Sequence, residues 1–454
     1  MKRRVLVSLL AICLIMSPVS AFAQTESPNE NAHSPEMKIS DSLYEKNEIA
    51  DEEKTVFEYD RTEQEVLNTA PIIGCEAAYV ADPVSGKIFY EKNAHQKRYP
   101  ASTTKILTAL VVLENCSMDE MVKVSKSAID AIPAGYSNAG LKVGEEQSVY
   151  TMLQALLIPS ANEAAYALAE HVSGSVKAFA DLCNKRAKEL GCEKLHFVNP
   201  NGVHDNDHYC TAYDLYLIAK ECQKYDVFNE IVKTTSFTVP ASKLYNKADR
   251  TYSNTNELIL PTSASYFFPY CTGIKTGHTT PAGECLVSSA EKDGLNLICV
   301  VLKGTITSRG VNERFYDSKK LMEFVYNKFT YKQIANKEKP LGQIEVKHAK
   351  SGVKTLDYYA ASDLYSITPN STAYENIEPE IEIDEAVKAP IKANQVLGTA
   401  TYKIDGLIYS TNIIAKEDIE KKPYTLYFAA AGILIILIAA VVAIIMKKKK
   451  TSEE

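Results

Sequence analysis

The 454-residue chain has no surplus of positive charge: 50 lysines and arginines face 57 aspartates and glutamates, a net of −7. The imbalance is local. Residues 24–70 hold 13 acidic and 4 basic residues, a net of −9, so the remainder is close to neutral. No basic stripe is left to neutralise phosphates, which argues against a nucleic-acid partner. There is no internal repeat, which excludes an array of stacked identical units. Metal-ligand spacing is missing too. The stretch His204-Asp205-Asn206-Asp207-His208-Tyr209-Cys210 is rich in ligating side chains but fits no familiar pattern. It reads as a polar turn before a helix that Thr211 and Asp214 cap. Neither a metal nor a cofactor is expected.

What is present is a set of three short motifs. Ser102-Thr103-Thr104-Lys105 comes first, Ser160-Ala161-Asn162 begins 58 residues later (160 − 102), and Lys275-Thr276-Gly277 begins 115 residues after that (275 − 160). Each alone is weak. The first spacing recurs at Ser289 with Lys292 and at Ser351 with Lys354, the second at Ser27 with Asn29 and at Ser410 with Asn412. Context separates them. Ser102 follows Tyr99-Pro100-Ala101 and opens an apolar run from Ile106 to Leu113, which reads as a helix buried all round. Ser289 and Lys292 run into the turn signal Asp293-Gly294, and no apolar helix follows Ser351.

The spacing makes chemical sense. A serine hydroxyl is a poor nucleophile until a base takes its proton. Three residues along a helix place Lys105 over Ser102, and a buried lysine loses its proton more readily. Ser160 and Asn162 fall on a loop between two helical patterns, the first ended by Pro159. There a hydroxyl can relay a proton and an amide can bond a substrate peptide group, although Ser160 as a plain helix cap fits equally. Lys275, Thr276 and Gly277 sit in a short β-like stretch. A glycine in a strand admits a close backbone neighbour, and an edge strand admits an added peptide strand. Lys275 and Thr276 then offer a charge and a hydroxyl to a carboxylate.

In this order the motifs form the documented set of penicillin-recognising serine acyl enzymes. Over roughly residues 72–420 the chain resembles the serine-type D-alanyl-D-alanine carboxypeptidases, the low-molecular-mass penicillin-binding proteins. The resemblance extends to Ala77-Ala78-Tyr79-Val80-Ala81-Asp82, Asn199-Pro200-Asn201-Gly202 and Gly273-Ile274-Lys275-Thr276-Gly277-His278-Thr279. It implies an α/β fold of the β-lactamase/transpeptidase type, an antiparallel sheet with a helical lobe. A small all-β domain and a single transmembrane helix follow it. It implies Ser102 as nucleophile, Lys105 as base and Ser160 as a catalytic partner. Asn162, Lys275, Thr276, Gly277, His278 and Arg314 become substrate-binding, with the backbone N–H groups of Ser102 and His278 as oxyanion donors. Arg314 falls where the family holds the substrate's terminal carboxylate. The implied partners are peptidoglycan stem peptides ending in D-Ala-D-Ala, and β-lactams as covalent inhibitors.

The flanks indicate location. Lys2-Arg3-Arg4, an apolar run over residues 5–16 and Ala21-Phe22-Ala23 make a secretory signal peptide ending at residue 23. Residues 24–70 read as a disordered acidic linker, 71–330 as the catalytic domain and 331–422 as the small β-rich domain. Residues 424–446 carry no charge and as a helix span about 34 Å, enough to cross a bilayer. Lys447 to Lys450 then mark a cytoplasmic tail over 447–454, leaving the body on the cell-wall side. Nine cysteines follow the signal, an odd number, so at least one is unpaired or bonded to another chain. Most read as small buried apolar residues. Two alternatives stay open: a β-lactamase, disfavoured by the lack of a Glu-x-x-x-Asn element between residues 163 and 274, and a non-catalytic penicillin sensor or wall-binding module, disfavoured by the intact Ser102 and Lys105.

Overall fold

The computed structural model describes residues 65–451 except 351, 373–376, 384–386, 405–406 and 424. The expected signal peptide and all but the end of the acidic linker lie outside the described residues. The linker's last residues do not follow the expectation of disorder. Residues 65–67 make a helical turn, and Val66, Leu67 and Ala70 pack on a core cluster of the first domain. Three apolar side chains in five positions suffice to tie that end down despite the acidic composition before it.

A five-stranded antiparallel sheet forms the centre of the first domain, in the order Ile88–Lys92, Ala77–Ala81, Leu295–Gly304, Gly283–Lys292, Cys271–Thr279. Its first strands come from one end of the sequence and its last three from the other, so the helical residues between them form an inserted lobe. The strand Leu295–Gly304 explains why the run Leu-Ile-Cys-Val-Val-Leu shows no alternation of apolar and polar residues. Ile298, Val300 and Leu302 face a core shared with the helical lobe, while Leu297, Cys299 and Val301 face a second core beneath the helix Glu313–Lys328. A sheet covered on both faces needs apolar residues at every position.

The helix Lys105–Asn115 runs through the first of these cores, with every residue from Lys105 to Val112 buried. Helices Val149–Leu157, Asn162–Ser173, Val176–Glu189 and Ala212–Cys222 surround it. The last starts with the expected cap: Thr211 and Asp214 each bond the other's backbone N–H in a full capping box. Seven of the nine described cysteines are buried and all are unpaired, as small apolar fillers are.

A second domain of β-structure follows. The strands Phe329–Ala335 and Leu364–Pro369 pair, and five further strands form a sheet in the order Pro340–Glu345, Thr355–Ala360, Leu407–Ala415, Val396–Ile404, Glu380–Ile383. It has its own core, which includes Leu356, Ala400, Tyr402 and Ile413. The helix Thr425–Thr451 ends the described chain, and its 21-residue stretch Phe428–Lys448 is exposed and apolar enough to cross a membrane.

Candidate active site

Ser102 lies in a 3₁₀ turn, Ala101–Thr104, that leads into the helix Lys105–Asn115. The 3₁₀ form is tighter than the α-helix anticipated from the sequence, and it eclipses residues three apart. Lys105 Nζ therefore sits 3.0 Å from Ser102 Oγ. The same nitrogen donates to Asn162 Oδ1 at 2.8 Å and to the Asn201 carbonyl at 2.7 Å. A neutral amine has two N–H bonds and one lone pair. With both N–H bonds directed at these two carbonyl oxygens, the lone pair faces the Ser102 hydroxyl. Burial holds the Lys105 pKa well below the usual lysine range, the positive charge of Lys275 adds to the drop, and Glu163 opposes it.

The turn is clamped from two sides by glycines. A Cβ on Gly202, whose φ is +82°, would meet the Ala101 carbonyl oxygen at 1.8 Å. A Cβ on Gly277 would lie 2.8 Å from the Pro100 carbonyl oxygen and 3.0 Å from Ser102 N. The Lys275-Thr276-Gly277 strand thus lies directly against the Ser102 turn. It forms the edge of the sheet, in the strand Cys271–Thr279, and runs on through His278 to Thr279. Ala101 and Ser160 both have left-handed backbones, at φ +48° and +64°. Non-glycine residues in that region carry strain that the surroundings must impose.

Asn162 begins the helix Asn162–Ser173, and its amide, read from the sequence as a substrate contact, is engaged at both ends. Its Oδ1 takes the Lys105 bond and its Nδ2 donates to the Ser137 carbonyl at 2.9 Å. Ser160 is buried beside it, and among the described residues its hydroxyl makes no hydrogen bond. Lys275 is buried with one hydrogen bond from Nζ, to its neighbour's carbonyl at 3.2 Å. Burial, helped by the Arg314 charge, pushes its pKa down to about 7. Thr276 donates to Thr255 Oγ1 at 2.6 Å. Arg314 pairs with Glu284 at 2.7 Å and donates to the Gly277 carbonyl at 3.2 Å, while its buried Nε has no partner among the described residues. His278 Nδ1 is 2.8 Å from the other oxygen of Glu284, and its ring is largely exposed. The lookalike pair Ser289 and Lys292 lies elsewhere, on the strand Gly283–Lys292, where Ser289 bonds Thr272.

Several contributors escaped the sequence reading. Glu284 joins His278 and Arg314, and the Asn201 carbonyl holds Lys105. His208, within the stretch that tempted a metal reading, serves the Ser102 turn. Its Nδ1 accepts from Val198 N–H at 3.2 Å, so Nε2 carries the proton and donates to Thr104 Oγ1 at 2.8 Å. Thr104 in turn donates to the Ala101 carbonyl at 2.8 Å. Burial lowers the His208 pKa to about 3, which keeps the ring neutral in this role.

A buried Ser–Lys pair at a helix start, walled by an edge strand with a buried lysine, defines an acyl-transferring serine hydrolase of the transpeptidase-like class. Residues 64–305 match the D-alanyl-D-alanine carboxypeptidase family, and residues 329–421 match the C-terminal domain of penicillin-binding protein 5. The chain belongs to this family and is a serine-type D-Ala-D-Ala carboxypeptidase. It is similar to the D-alanyl-D-alanine carboxypeptidase DacF of Bacillus subtilis, 31% identical over 360 residues that cover 78% of this chain and 87% of that one. DacC of Escherichia coli is 32% identical over 364 residues, covering 78% and 86%. Among solved structures, penicillin binding protein 5 of Haemophilus influenzae matches at TM-score 0.60 and 26% identity, over 78% of this chain and 99% of that one. A peptidoglycan synthesis regulatory factor of Streptococcus pneumoniae matches at TM-score 0.65 and 26% identity, over 77% and 100%.

The close approach at Gly277 gives a direct test. Gly277→Ala should push the strand off the Ser102 turn and slow acylation by fluorescent penicillin by about 10²-fold, since a misplacement of ~1 Å costs about that much. An unchanged acylation rate would mean that the contact does not align the site.

Proposed function

We propose that the chain is exported and membrane-anchored, and that it removes the terminal D-Ala from peptidoglycan stem peptides through an acyl-enzyme on Ser102. The observation that carries this is the buried Lys105 amine, whose Nζ lies 3.0 Å from Ser102 Oγ and bonds the Asn162 side-chain and Asn201 backbone oxygens. Ser102 Oγ attacks the carbonyl carbon of the penultimate D-Ala, and its proton passes to Lys105. The backbone N–H groups of Ser102 and His278 receive the oxyanion. The C–N bond then breaks, the proton goes to the departing D-Ala amine by way of Lys105 and Ser160, and water hydrolyses the ester. β-Lactams acylate the same serine. The apolar helix Thr425–Thr451 serves as anchor, with the body on the cell-wall side and the lysine-rich end inside. Ser102→Ala should abolish both D-Ala release from a diacyl-Lys-D-Ala-D-Ala peptide and covalent penicillin labelling. Labelling that persists and maps to Ser289 or Ser351 would refute the assignment.

Lys275 is the proposed seat of the substrate's free carboxylate. A buried ammonium has three donors, and this one has a single backbone acceptor. The cationic form binds an anion, and the free protein loses that form as pH rises through about 7. The expected kcat/KM for a peptide acid therefore falls above about pH 7. Lys275→Arg, which stays charged at all these pH values, should remove the alkaline fall. Its persistence in that variant would exclude Lys275 as its source.

Arg314 acts beside it, holding the Gly277 carbonyl and adding positive charge. Its loss removes a charge-assisted contact of about 1.5–3 kcal/mol. Arg314→Ala should slow turnover of a peptide ending in D-Ala by roughly tenfold to a hundredfold, with little effect on the same peptide ending in D-Ala amide. Equal slowing on both would assign Arg314 to strand placement alone.

A further inference from the structure

The helices that begin near Lys105 and Asn162 also end together, at a cluster that the proposed reaction does not use. Cys116 is the C-terminal cap residue of the helix Lys105–Asn115, and His171 lies in the last turn of the helix Asn162–Ser173. Glu120 follows Cys116 on a tight turn closed by the Glu120 N–H bond to the Ser117 carbonyl at 3.2 Å. The Cys116 sulfur and one ligand atom each from Glu120 and His171 all lie within 4.8 Å of one another.

We propose that Cys116, Glu120 and His171 bind one divalent cation of the zinc type, with water completing a tetrahedral shell. Four observations point this way. The donor set of one thiolate, one imidazole and one carboxylate is what a borderline-soft ion prefers. Two of the three ligand atoms are already close: His171 Nε2 and Glu120 Oε2, on exposed residues, are 3.1 Å apart. Metal–ligand bonds of 2.0–2.3 Å put tetrahedral neighbours about 3.3–3.8 Å apart. The carboxylate is pre-oriented, because the Ser117 N–H donates to Glu120 Oε1 at 2.6 Å and leaves Oε2 toward the histidine. Outer hydrogen bonds of this kind are what orient metal ligands. Finally, two helix C-termini converge here, and their partial negative charges favour a cation.

Binding is a proton exchange: the thiol gives up its proton as the sulfur–metal bond forms, and no oxidant or reductant is involved. The ion would tie together the far ends of two helices whose near ends supply Lys105 and Asn162. Its role is to brace the helical lobe, not to take part in the reaction. The sequence hid the cluster, since Glu120 and His171 are 51 residues apart (171 − 120) and belong to no recognised spacing.

The test uses the full chain in detergent, stripped with a chelator and kept reduced with a phosphine. Co²⁺ is the spectroscopic probe. One equivalent should produce a near-ultraviolet thiolate charge-transfer band and visible bands of tetrahedral cobalt, and one equivalent of Zn²⁺ should remove both. Cys116→Ser should lose the thiolate band, and His171→Ala and Glu120→Gln should weaken Zn²⁺ binding at least ~10-fold. Zn²⁺ should raise the thermal midpoint of the wild type but not of Cys116→Ser. D-Ala release by the stripped Cys116→Ser protein should equal that of the stripped wild type. The proposal is overturned if no thiolate band forms, if the band survives Cys116→Ser and so belongs to another thiol such as the partly exposed Cys192, or if Zn²⁺ leaves the wild-type midpoint unchanged.

Discussion

The desolvation of one amine organises the site. Moving an ammonium from water into a protein interior costs several kcal/mol even after relaxation, and Lys105 is wholly buried. A protein can meet that cost with a counter-ion or by letting the proton go. Here the three neighbours of Nζ are a hydroxyl, an amide oxygen and a backbone carbonyl, all uncharged. Glu163, the carboxylate whose charge acts on Lys105, spends its Oε1 on the N–H groups of Ala139 and Leu141 instead of on the lysine. A direct ion pair would fix the proton on nitrogen and leave no base. Neutral acceptors orient the amine without charging it.

The second requirement is that the Ser102 turn stay put. It is short, it is 3₁₀ rather than α, and it is entered through a left-handed Ala101. Such a segment persists only when its surroundings over-determine it. Gly202 and Gly277 let backbone press on it at two places, at distances that no side chain would permit. The His208–Thr104 chain ends on the carbonyl of Ala101, the strained residue itself. Strain at Ala101, next to the proposed nucleophile, and the two glycines are therefore one feature seen from two sides.

Much of this was legible in the sequence, and the limits are physical. The run after Lys105, apolar nearly all round with Thr108 its one polar residue before Glu114, announced a buried helix because an amphipathic surface helix keeps a polar face. The capping box before Ala212 was readable because it is a contact over three residues. What could not be read acts through backbone or across distance. The Asn201 carbonyl carries no side-chain signature. Glu284 looks like any strand glutamate until pairing sets it opposite His278. The small helical turn at residues 65–67 was masked by the charge of the segment before it, since composition averages over a window while burial is decided residue by residue.

The two buried lysines face opposite demands, and their surroundings account for both. On the proposed reading Lys105 must be neutral when Ser102 attacks, whereas Lys275 must be charged when a carboxylate arrives. Burial alone would neutralise both. The difference lies in their partners: Lys105 has two carbonyl acceptors and the Ser102 hydroxyl opposite its lone pair, Lys275 one weak backbone contact and an arginine neighbour that Glu284 pairs. The missing counter-charge at Lys275 is the one a peptide ending in a free acid brings. Its binding would draw a proton onto Lys275, and because the carboxylate brings one negative charge for that positive one, the pair adds no net charge beside Lys105. A free acid can then be held without recharging the Lys105 amine, whereas a peptide ending in an amide brings Lys275 no counter-charge.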